Sequence, residues 1–86
     1  MTNSPELKFI SGTRAAGAPA VSSTWIGRKS GVVLTVTALE ASDDWVDGDA
    51  YGQLQFTTSS TVAPVVGEVF DEELGTGTFE YTGVGS

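Results

Sequence analysis

VVLTVTALEASDDWVDGDAYGQLQFTT, residues 32–58, decides the fold. Its first part, VVLTVTALE (32–40), is rich in β-branched residues. Threonine alternates there with apolar side chains, the period-two pattern of a half-buried strand. That pattern puts Val32, Leu34, Val36 and Ala38 on one face, with Thr35 and Thr37 on the other. The last part, AYGQLQFTT (50–58), alternates again, with Leu54 and Phe56 facing one way and Gln53 and Gln55 the other. Between them, SDDWVDGD (42–49) carries four aspartates around one tryptophan. Asp47-Gly48 is a tight-turn signal, because glycine enters positive φ without a steric penalty. Ser42 and the acids after it suit the start of a single helical turn, whose first amides favour negative charge. The expected unit is two antiparallel strands joined by an acidic tip.

The pattern extends in both directions. ELKFI (6–10) fits a short strand. SGTRAAGAPAVSS (11–23) has almost nothing large to bury, so residues 1–23 are expected to form a flexible or extended N-terminal arm. TWIGR (24–28) is a short strand ended by KSG. VAPVVGEVF (62–70) is a strand interrupted at Pro64 and Gly67. Pro64 lacks a ladder donor, which places that strand at an edge or a bulge. DEELGTG (71–77) is a polar turn. TFEYTGV (78–84) is the final strand, with Phe79 and Tyr81 inward. No segment of ten or more residues keeps a helical period. Five to six short strands, with 11 glycines and 11 threonines, predict an all-β fold. The expected form is a small antiparallel β-sandwich or barrel, one β domain over 24–86. Residues 50–67 hold no charge across 18 positions. Such a segment is either central in the sheet or covered by a partner, a second copy of the chain included.

Composition removes whole classes of chemistry. The 86 residues include no cysteine and no histidine. Disulfides, thiolate metal sites and the usual neutral-pH general base are therefore absent. No serine sits in a Gly-x-Ser-x-Gly elbow, and GTG at 75–77 lacks the lysine and helix of a phosphate loop. An enzyme is not expected, nor is a cofactor. The start of the chain shows no basic stretch followed by an apolar one, and no apolar run is long enough to cross a bilayer. A soluble protein without a leader and without membrane contact is the expectation. Net charge is −7, against nucleic acid as a partner. The charge is uneven: residues 1–29 carry +3 and residues 30–86 carry −10. Either the basic part contacts an acidic partner, or it folds back on the acidic body.

Asp43, Asp44, Asp47 and Asp49 offer oxygen ligands of the kind Ca²⁺ takes. The EF-hand offsets fail, however: with Asp43 first, the third position is Trp45 and the twelfth is Leu54. SDDWVDGD thus ranks as a polar turn first, a recognition loop around Trp45 second, and a metal site third. Trp25 and Trp45 are either core residues or exposed anchors for a partner.

SGTRAAGAPAVSS ahead of a Thr/Val/Gly-rich β region, and the cadence of GEVFDEELGTGTFEYTG, resemble the small head decoration or cement proteins of tailed phages. The resemblance implies a β domain seated on the capsid of a virion, often as a trimer, with the major capsid protein as partner. It implies an N-terminal arm that binds by strand addition. On that reading Arg14, Arg28 and Lys29 meet an acidic capsid surface; with Trp25 and Trp45 taken as exposed anchors, these five are the candidate partner-binding residues. Two other classes stay open: a carbohydrate- or calcium-dependent adhesion module using Trp45, Tyr51 and the aspartates, and a small acidic inhibitor.

Overall fold

Every strand has a neighbour on both sides. The computed structural model describes residues 6–84. The strands are β1 (Glu6–Thr13), β2 (Thr24–Gly27), β3 (Val33–Ala41), β4 (Ala50–Thr58), β5 (Val69–Glu72) and β6 (Thr78–Val84). They close into a barrel in the order β1-β4-β3-β2-β5-β6, with all pairs antiparallel. The described residues contain no helix. The uncharged strand β4 lies between β1 and β3, paired on both sides, and needs no partner to cover it.

The strand expected at 6–10 is present and runs on to Thr13, so residues 6–13 do not form an arm. β1 pairs with β4 from Glu6↔Gln55 to Phe9↔Gly52, and with β6 on its other side. Leu7 and Phe9, two positions apart, are both buried and give this strand an inward face. Residues 14–23 leave the barrel but stay tied to it. The Arg14 amide donates to the Trp45 carbonyl at 2.8 Å, the Ser22 amide to Val36 at 2.7 Å, and Val36 returns a bond to Ser23 at 2.9 Å. The β domain therefore begins in β1 and not at Thr24. Residues 1–5 of the expected arm lie outside the described residues.

Two other boundaries move. Residues 62–68 are loop, so Pro64 interrupts no strand, and β5 takes in Asp71 and Glu72 from the expected turn. In β3 the register slips between Val36, opposite Phe56, and Ala38, opposite Gln55. Thr37 is the extra residue of a β-bulge, which reverses the facing of everything after it. Ala38 is consequently exposed, while Leu39 and Ala41 pack against the core.

Side chains fill the barrel, as a small closed barrel requires. Phe79 is the centre. Its ring lies 4.9 Å from Trp25, 5.2 Å from Phe9 and 5.2 Å from Phe70. Trp45 closes one end of this cluster, 5.3 Å from Phe9. Such tilted and stacked pairs add about 0.5–1.5 kcal/mol each beyond their area burial.

Candidate interaction surface

Antiparallel closure gives the barrel two distinct ends. At one end are the loops 14–23, 42–49 and 73–77. They are joined by the Arg14 amide bond to Trp45 and by the Glu73 amide bond to the Thr24 carbonyl at 2.9 Å. At the other end are 28–32 and 59–68, joined by the Val33 amide bond to the Ser60 hydroxyl at 3.0 Å.

Most residues expected to face a partner are used internally. Trp25 and Trp45 are completely buried and present nothing to a partner. The alternation of TWIG turns Trp25 inward, and its indole N–H donates to the Ser23 hydroxyl at 3.0 Å. Arg14 donates Nε to Glu72 Oε1 at 3.0 Å and Nη1 to the carbonyls of Gly17 and Ala18. Arg28 holds Asp71 with two bonds, 2.7 Å from Nε and 2.8 Å from Nη2. These hydrogen bonds, and then the charge attraction, raise the Arg28 pKa. The same bonds hold the Asp71 carboxyl below its ordinary range. Of the basic residues expected at a partner, Lys29 keeps an exposed side chain without an ion pair.

SDDWVDGD is a turn. The Ser42 hydroxyl accepts from the Tyr51 amide at 3.2 Å, and the Ser42 amide donates to the Tyr51 carbonyl, so Ser42 closes the neck of the loop instead of capping a helix. Gly48 has φ 82°, the conformation that makes glycine the natural residue there. The Asp43, Asp44, Asp47 and Asp49 carboxylates do not converge. Among the described residues no group of three or more acids is arranged to hold a metal ion.

The opposite end holds what the sequence pattern did not single out. Glu68 is only 3% exposed. Its Oε1 accepts from the Lys29 and Ser30 amides, each at 3.0 Å, and its Oε2 from the Val65 amide at 2.6 Å. One carboxylate thus ties the β2–β3 turn to the β4–β5 loop. Burial opposes its ionisation, but the bonds from Ser30, Val65 and Lys29 outweigh that effect, and the Glu68 pKa lies below the usual value. Gly27 packs against it, since a Cβ there would come 2.9 Å from Glu68 Cδ. Above this clamp, SSTVAPVVG (59–67) carries no charge and exposes Val62, Val65 and Val66, at 56%, 42% and 65%. The loop is fixed at its far side as well: the Gly67 amide donates to the Tyr81 carbonyl at 2.8 Å, and the Tyr81 amide to Glu68 at 2.9 Å. A signal for Glu68 was present in the sequence. It is the first charge after 18 neutral positions, and it shares the inward face of Phe70 two residues on.

An uncharged apolar loop hydrogen-bonded to the rim of a closed barrel suits surface contact. No family model, curated protein or solved structure matches the chain.

Proposed function

We propose that this barrel is a structural virion protein, of the head decoration or cement kind, that docks on the capsid through the 59–67 loop. The observation that carries the proposal is the exposure of three valines on a loop pinned from beneath by the buried Glu68 carboxylate. The contact is face to face. Residues 6–13 are already paired on both sides, by β4 and β6, so strand addition by them has no place in the mechanism. Lys29, carried by the turn that Glu68 clamps to this loop, supplies positive charge for an acidic partner surface. The aspartates of 42–49 lie at the far end and turn outward.

Burying three valines yields roughly 3–6 kcal/mol before association costs are subtracted, so a single contact is weak. Stability on a particle comes from copies that also touch one another around a symmetry axis, as a trimer does. The test is co-sedimentation of the purified chain with expanded phage heads that lack it. Saturable binding at a fixed ratio to capsid protein supports the proposal. A chain that stays in the supernatant at all concentrations overturns it.

A further inference from the structure

Seven of the eight aromatic side chains are buried, and Tyr51 is the exception, 60% exposed on the outer wall of the barrel. It stands on a groove of about 450 Å³ between the exposed side of β1, the ends of β3 and β4, and β6. Ile10, 43% exposed, supplies an aliphatic wall beside the ring. Lys8, Glu40, Gln53 and Thr82 supply the polar rim.

None of these polar side chains, nor the Tyr51 hydroxyl, makes a hydrogen bond or ion pair within the described residues. Arg14, Arg28, Glu68, Asp71 and Glu72 are all engaged by comparison. The floor includes Gly52, where φ is 151° and a Cβ would collide with the Glu40 carbonyl and come 2.7 Å from Ala41 Cα. Glycine at this position lets β3 and β4 approach closely at the edge of the groove.

We propose that this groove binds a neutral saccharide. A pyranose has an apolar C–H face and a rim of hydroxyls, each both donor and acceptor. The tyrosine ring with Ile10 matches the face. The Glu40 carboxylate accepts, the Lys8 ammonium donates, and the Gln53 amide and Thr82 hydroxyl do both. Lys8 and Glu40 cancel in charge, which selects a neutral ligand over an anionic one. β1 and β4, which form most of the groove, are paired on both sides and offer a peptide strand no edge, and a nucleic acid meets a net charge of −7. This site lies on the wall of the barrel and does not depend on the 59–67 loop or on the capsid proposal.

The test is an amide NMR titration of the full chain with maltotriose, cellotriose and triacetylchitotriose, each taken to about 20 mM, a range that detects millimolar affinity. At least one should give saturable shifts centred on Lys8, Ile10, Tyr51, Gly52 and Gln53. Tyr51→Ala should weaken that binding by about tenfold or more. Tyr51 is exposed, so the variant spectrum should otherwise match the wild type. Affinity should be flat from low to high salt. No saturable shift with any of the three overturns the proposal. So do shifts that persist in Tyr51→Ala, a steep salt dependence, or the same amides moving with protein concentration instead of sugar, which would make the groove a copy–copy contact.

Discussion

Glu68 is the buried charged side chain of the described molecule, and both candidate loops at its end depend on it. Its pKa is lower in the fold than in the unfolded chain. The stability it contributes is therefore complete above the ordinary carboxylate range and is lost as pH falls through the folded value. Thermal unfolding measured from about pH 6 to about pH 3 should show a steeper fall for the wild type than for Glu68→Gln. Glu68→Gln should be less stable by about 1–3 kcal/mol at neutral pH, because an amide cannot accept on both sides from three N–H groups. Parallel pH profiles would contradict this role. The two tryptophans make a second residue-scale comparison. Both are completely buried, but Trp25 Nε1 donates to Ser23 while Trp45 Nε1 has no partner among the described residues. A buried unpaired donor costs about 1–3 kcal/mol, and replacing it by Phe removes that cost. Trp45→Phe should therefore destabilise less than Trp25→Phe in urea unfolding. The reverse order would show that packing volume at Trp45 dominates.

At the scale of the element, β1 is where sequence and structure differ most. SGTRAAGAPAVSS is small and polar, and composition alone assigns it outside the core. What composition misses is that Leu7 and Phe9 anchor the strand before it, and that the sheet needs β1 to close between β4 and β6. Removing residues 1–13 should abolish cooperative unfolding and native amide dispersion. A folded truncated chain would contradict the barrel. β4 and β6 were legible because their alternation is unbroken, so Leu54, Phe56, Phe79 and Tyr81 turn inward as the pattern requires. β3 was legible only to Val36. The bulge at Thr37 leaves no compositional trace, and a period-two pattern cannot reveal the residue at which it reverses. The candidate sites were less visible than the fold. The basic segment, open to a partner or to folding back on the acidic body, takes the second course at both arginines: Arg28 and Arg14 are held by Asp71 and Glu72, acids 43 and 58 positions away in the chain. The saccharide groove joins residues of four strands.

Across the whole molecule the excess negative charge is concentrated toward one end. Asp43, Asp44, Asp47, Asp49 and Glu73 occupy the loops there, and the uncharged valine loop caps the opposite end. On the proposed docking, that arrangement would orient the barrel with the valine loop toward the capsid and the acids away from it. A contact made by valines should weaken little with added salt, whereas an acidic inhibitor docking by its aspartates should lose affinity steeply. Light scattering of the free protein over a concentration series measures how far copies associate before they reach a surface. The most direct measurement compares head binding by two variants. Val65→Asp with Val66→Asp places charge on the pinned loop, and Asp43→Asn with Asp44→Asn removes charge from the far end. The loop variant should lose binding by about a hundredfold or more, since two desolvated carboxylates must enter the contact, while the far-end variant should bind as the wild type does. Retained binding by the loop variant, with binding lost in the aspartate variant, would contradict the account and move the docking face to the acidic end.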